Sequence, residues 1–252
     1  MDNLLTINFL MFFVVGFLAQ IIDGALGMAY GVSASSFLMG MGVPPALASA
    51  SVHTAEVFTT AASGASHWKL GNVDKEIIKK LLLTGVIGGA AGAYLLSNID
   101  GNVIKPWVAI YLLVMGVRIL VKAFKPANGF SAKLRKQLPL LGLFGGFMDA
   151  IGGGGWGPVV TTTMIANGEH PRRTIGSVNL TEFFVTLVQA ITFFFTLGAL
   201  DWPVVLGLLF GGILAAPFGA LLTRRISPKI MLLIVGMVVV FLQLRTLVQI
   251  WF

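Results

Sequence analysis

The sequence predicts an all-α integral membrane protein of about ten transmembrane or re-entrant helices, arranged as two inverted five-segment repeats. Three observations carry that expectation: an apolar, charge-poor composition, ten apolar runs with short breaks, and an internal repeat that matches the acidic residues embedded in those runs. Hydrophobic residues make up 56% of the 252 positions and charged ones 11%, where soluble domains carry about 25% charge. Mean hydropathy is +0.90. This excludes a soluble enzyme. At about 20 residues per span the chain crosses a bilayer at most about ten times, and only with very short loops.

Taken in order, the apolar runs lie at 4–22, 28–41, 45–66, 76–97 and 103–123, then 138–150, 154–167, 173–198, 203–223 and 229–250. The first is read as a retained span, because Met1-Asp2-Asn3 lacks the positive n-region of a secretory signal. The runs at 28–41 and 154–167 are too short to cross a hydrocarbon core of about 30 Å at about 1.5 Å per residue, so half-helices or re-entrant pieces are expected there. Pro44-Pro45 and His170-Pro171 read as turns opening the following helices. Trp107, Trp202 and Trp251 read as interfacial anchors.

With the N-terminus outside and strict alternation, fifteen of the seventeen basic residues fall in inside loops, leaving only Lys105 and Arg245 outside. That is the positive-inside bias, so a multi-pass protein of the cytoplasmic membrane with both termini extracytoplasmic is expected. It also accounts for the isoelectric point near 9.9 without nucleic acid as a partner. Arg118 lies near a helix end, where it can snorkel to the interface.

An offset of 126 aligns Asp23–Thr60 with Asp149–Thr186 without a gap, pairing Asp23 with Asp149, Gly27 with Gly153, Gly31 with Gly157, Pro45 with Pro171, Ser51 with Ser177 and Glu56 with Glu182. Of the ten acidic residues, six lie at the terminus or in loops, and the other four are Asp23, Glu56, Asp149 and Glu182, two repeat-related pairs. Five segments is an odd number, so the second copy enters the membrane from the opposite side. The expected units are residues 1–123 as the first repeat, 124–137 as a basic cytoplasmic linker with Pro126, Asn128 and Gly129, and 138–252 as the second repeat.

Two constellations carry chemistry. The first is Asp23-Gly24-Ala25-Leu26-Gly27-Met28-Ala29-Tyr30-Gly31 with its mate Asp149-Ala150-Ile151-Gly152-Gly153-Gly154-Gly155-Trp156-Gly157-Pro158. Glycine lets the backbone leave the helix. Each stretch then precedes a short helix, expected to start near Val32 and Val159, whose free amides and positive dipole end suit an anion. Ser33, Ser35 and Ser36, mirrored by Thr161, Thr162 and Thr163, add hydroxyl donors. Tight helix packing is the other reading of the same glycines.

The second is His53-Thr54-Ala55-Glu56 with Asn179-Leu180-Thr181-Glu182. The i, i+3 spacing puts His53 with Glu56, and Asn179 with Glu182, on one helix face. A carboxylate inside an apolar helix costs roughly 2.5–3.5 kcal/mol and usually faces a cavity or partner. Proton carriage and an interhelical hydrogen bond are both open to it. The candidate substrate-binding residues are Gly27, Ala29, Gly31, Ser33, His53, Gly153, Gly154, Gly155, Trp156, Thr161 and Asn179; Asp23, Glu56, Asp149 and Glu182 are the candidate coupling or gating groups. With no cysteine, no His-Glu-x-x-His and no Gly-x-Ser-x-Gly, no catalytic residue, metal or cofactor is expected.

Together these stretches, with Gly176-Ser177-Val178-Asn179, resemble the sulfite exporter TauE/SafE family, also called TSUP, over nearly the whole chain. The second half is the closer match, since Met28 and Ala29 stand where the second copy has glycines. The resemblance implies a secondary transporter exporting small sulfur-containing anions, such as sulfite, sulfoacetate or other organosulfonates, by alternating access, with proton coupling as an option. The alternative from the residues alone is a cation or metal-ion transporter using the four carboxylates. The partners expected are the anionic substrate, the lipid bilayer and a second copy of the chain in a homodimer.

Overall fold

The computed structural model of the chain describes residues 2–26, 28–124, 132–198, 200–222 and 228–251. Among them are ten α-helices: α1 Asp2–Leu26, α2 Tyr30–Gly40, α3 Pro45–Lys69, α4 Lys75–Asn98, α5 Gly101–Lys122, α6 Ala132–Gly152, α7 Thr162–Ala166, α8 Pro171–Leu197, α9 Trp202–Leu222 and α10 Pro228–Trp251. A π-helical turn, Gly157–Thr161, leads into α7. No strand occurs among the described residues. The helices at 75–98, 101–122, 173–197 and 232–251 are long and apolar enough to cross a membrane.

Local chemistry sets the ends. Asp74 caps α4 by accepting from the amides of Glu76 at 2.9 Å and Ile77 at 3.4 Å, and Asp100 caps α5 through the Asn102 amide at 2.7 Å. Pro45 and Pro171 stand in the first turns of α3 and α8, where a missing N–H costs nothing. The helix α6 begins at Ala132, inside the stretch expected as linker, and most of the remaining linker (125–131) lies outside the described residues. The two broken-helix starts come at Tyr30 and Gly157, about two residues earlier than expected, because the capping carboxylates described below hold the first turn.

The halves interlock rather than stand apart. The helix α1 packs on α9 and α4 on α6, while α3 meets α8 and α5 meets α10. Exchanging the halves turns the first pair into the second and leaves the other two unchanged. Both latter pairs run antiparallel: Gly64 near the end of α3 lies on Leu180 early in α8, and Gly116 and Gly236 cross α5 with α10 at Val239 and Leu120. At one end of the bundle, Arg135 of α6 bonds Glu169 at 2.7 Å, Glu76 at 2.9 Å and Asp74 at 3.4 Å. Glu169, one of the six acids expected at the terminus or in loops, lies in the loop before α8 and is buried. The loops before α4 and α8 and the start of α6 thus meet on one side. Outward surfaces of the long helices carry exposed Leu83, Val114, Phe195 and Val248, as a lipid-facing perimeter requires.

Close backbone approach holds the like-running pairs together. A side chain at Gly88 or Gly146 would strike the backbone of Leu143 or Gly85, and one at Gly211 would strike that of Phe13. Gly146→Leu and Gly211→Leu are each expected to lower thermal stability in detergent by several degrees, from an overpacking cost of about 1–3 kcal/mol. Leu83→Ala, on the perimeter, is the control that leaves it unchanged; unfolding curves that do not separate the variants would remove close glycine packing as the basis of these pairs.

Candidate functional site

The interior polar residues converge where the two helix breaks meet. After Asp149 the chain turns through Gly153 at φ 63° and Gly154 at φ 154°, conformations open to glycine and strained for other residues. No side chain fits at Gly154, because a Cβ there would strike Gly31 and the Val32 amide of the other break. The turn is locked by its own acid. Asp149 Oδ1 accepts from the amides of Gly155 at 2.6 Å and Trp156 at 2.8 Å, and its carbonyl accepts from Gly154 at 3.0 Å. Oδ2 faces Gln189 Nε2 at 3.0 Å and His53 Nε2 at 3.2 Å.

The first break is built the same way but held more loosely. Among the described residues, Asp23 Oδ1 accepts the Tyr30 amide, at 3.4 Å, and the αL position falls on Ala29 at φ 88°. The Glu56 carboxylate lies against Gly31, where an added Cβ would come within 3.2 Å of its Oε1. Between the breaks lies a cavity of about 10 Å³ lined by Asp23, Ala29, Tyr30, Gly31, Val32, Glu56, Asp149, Gly154, Gly155, Trp156, Gly157, Pro158 and Glu182. That volume is about one water. All four carboxylates embedded in apolar sequence reach this one space, from α1, α3, α6 and α8. No group of three acidic or histidine side chains among the described residues is close enough to hold a metal ion.

Comparison with known proteins gives this geometry its family. The family model described as "Sulfite exporter TauE/SafE" matches residues 12–246. The chain belongs to the TauE/SafE family. This TauE/SafE chain is also 44% identical over 250 residues to the "Probable membrane transporter protein YtnM" of Bacillus subtilis (strain 168), covering 96% of this chain and 83% of that protein. No solved structure matches it. It is a multi-pass membrane protein and a membrane transporter of the TauE/SafE type.

Of the residues singled out from sequence, the TauE/SafE fold brings Asp23, Ala29, Gly31, Glu56, Asp149, Gly154, Gly155, Trp156 and Glu182 to the cavity wall. Others stand one step back. His53, fully buried, lies between Asp149 and Glu56, with Nδ1 3.9 Å from the latter. Gly153 packs on Ser35 and Ser49, its carbonyl accepting from Ser35 Oγ at 2.5 Å. Asn179 Nδ2 donates to Ser63 Oγ at 2.9 Å. Thr161 is buried with no partner for its hydroxyl among the described residues. Ser33 faces away, lining an apolar groove between α1, α2 and α10, and Gly27 lies outside the described residues.

Sequence reasoning missed Tyr30 and Gln189. Tyr30 is the repeat mate of Trp156, and both line the same cavity. Gln189 follows Glu182 and Thr186 at i, i+4, i+7 on one face of α8, a spacing that signals it once extended by a turn. Arg118, expected to snorkel outward, instead points inward and donates from Nη2 to Thr163 Oγ1 at 2.7 Å.

Two expectations follow. Asp149→Ala leaves two buried amides without an acceptor, at about 1–3 kcal/mol each, and lowers the unfolding temperature well below that of Asp149→Asn, which keeps an acceptor oxygen; an alanine variant as stable as wild type contradicts the capping role. Ala29→Gly relieves a positive φ worth about 1–2 kcal/mol and raises the unfolding temperature, read in the same detergent assay.

Proposed function

We propose that this protein is a secondary transporter that exports small oxyanions, of the sulfite or organosulfonate class, from the cytoplasm by alternating access coupled to protons. The observation that carries the reading is the convergence of Asp23, Glu56, Asp149 and Glu182 on one small cavity between two broken helices. Four carboxylates cannot all stay ionised in a space of about one water, because like charges at such distances repel strongly in low dielectric. Protons, or partners such as His53 and Gln189 for Asp149, must compensate. An anion passes such a site only with the free carboxylates neutralised, which ties anion movement to proton movement.

The alternating-access element has its own support. The repeat-related helices α3 and α8, and likewise α5 and α10, run antiparallel, as two inverted copies would. The amides of Gly155 and Trp156, the expected anion donors, are engaged by Asp149 in this structure. Opening releases them to the substrate. Placing the Arg135 end of the bundle in the cytoplasm satisfies the positive-inside bias and puts both termini outside. The membrane potential of a negative-inside cell then assists anion exit.

Reconstitution in proteoliposomes tests the reading. Sulfite or sulfoacetate efflux is expected to move internal pH, reported by a trapped dye, and Glu56→Gln and Glu182→Gln to break that link by about tenfold or more. Flux of divalent cations with no sulfonate flux sinks this reading in favour of a cation transporter using the same carboxylates.

A further inference from the structure

Among the described residues, the cavity that would pass an anion carries no positive side chain on its wall, so the charge that attracts the substrate has to be supplied elsewhere. Two cations inside the fold are free to supply it. Arg118 and Lys122 lie four residues apart on α5 and so project from one face. Neither has an ion pair among the described residues. Like charges at that spacing destabilise a helix, and charge within the thickness of a membrane is costly unless it is paired. Both side chains are part-buried and reach into the protein rather than outward: Arg118 to Thr163 of α7, and Lys122 Nζ to Met28 Sδ at 3.4 Å. A thioether is a weak acceptor, and it is shared with Thr162 Oγ1 at 3.6 Å. An ammonium with three donors and a guanidinium with five are therefore left with one sulfur and one hydroxyl in the hydrogen bonds described.

We propose that Arg118 and Lys122, with the hydroxyls of Thr162 and Thr163, form a second anion site that takes a small multi-oxygen anion before it enters the central cavity. Arg118 presents the planar fork that matches two oxygens of a sulfonate or sulfite, and Lys122 adds a point charge. Met28 is the gate residue between this site and the cavity: it contacts Lys122 and Thr162 on one side and packs against cavity-lining Gly157 on the other. The path continues along α5. Tyr111, two turns before Arg118, is packed against Gly155 and has a buried hydroxyl without a partner among the described residues. It stands as the next donor between the cation pair and the Gly155 amide. This assignment rests on the anion reading above, and it names the groups that select for negative charge.

The test uses the purified full-length protein, with sulfite and sulfoacetate titrated calorimetrically in a detergent free of anionic lipid. Arg118→Gln and Lys122→Gln are each expected to weaken binding about tenfold or more, the loss of one charge-assisted hydrogen bond. Arg118→Lys recovers part of the affinity, and Lys105→Gln, at the far end of α5, changes nothing. Unfolding curves without ligand confirm that each variant is folded; where Arg118→Gln is not, the Lys122→Gln and Arg118→Lys comparison decides. A headgroup phosphate has the same chemistry, so vesicles of phosphatidylcholine with and without phosphatidylglycerol form a second arm. Stabilisation by phosphatidylglycerol alone, lost in both glutamine variants, overturns the loading role and assigns the pair to lipid. Wild-type affinity in both glutamine variants overturns the site while leaving the transport reading intact, whereas a wild type that binds and transports no oxyanion removes both.

Discussion

A helix broken at membrane depth exposes backbone amides where no water is at hand, and those amides must find an acceptor within the protein. In this chain Asp149 supplies it, holding the amides of Gly155 and Trp156 with one carboxylate oxygen. Much else follows from that bond. It fixes the positive-φ turn at Gly153 and Gly154, which in turn permits the contact of Gly154 with Gly31 in the opposite break. It directs the second carboxylate oxygen toward His53 and Gln189, so that α3 and α8 are tied to α6 through a single side chain. The cavity is what remains between two breaks brought into backbone contact.

The equivalent bond in the first half, among the described residues, is a long one from the Tyr30 amide to Asp23. The repeat mates of His53 and Gln189 are Asn179 and Ser63, and these bond one another instead of an aspartate. The two halves thus share a backbone plan and differ in how tightly the acid is held. One carboxylate is a latch with four partners. The other shares the cavity wall with Glu56 and Glu182, the groups that the proposed coupling would titrate.

Charge is layered along the molecule in a way that suits this division. Carboxylates occupy the centre, while the cations of α5 reach the Thr162–Thr163 turn and Met28 from one side. At the bundle end that carries Arg135, Asp74 and Glu169 from two loops and Glu76 from the start of α4 bind that one guanidinium and join segments far apart in sequence. Such a clasp ties α6 to the starts of α4 and α8, the helices that would shift against one another if the cavity opened on that side.

Sequence alone determined the helix number, the places where helices break, and the four acids that line the cavity, because these depend on local hydrophobic runs, on glycine and proline, and on matches at a fixed offset. Segment 154–167 is legible as a broken piece for that reason, and so is the pairing of Glu56 with Glu182. Only the tertiary structure decided which polar groups meet. His53 bonds an aspartate 96 residues away, Ser33 turns from the centre to an apolar groove, and Arg118 turns inward to Thr163. Those outcomes depend on the rotation of each helix about its axis and on which helix it packs against, set by backbone contacts at glycines such as Gly146 and Gly211. A hydrophobic pattern that is apolar on nearly every side of a membrane helix carries too little asymmetry to specify that rotation.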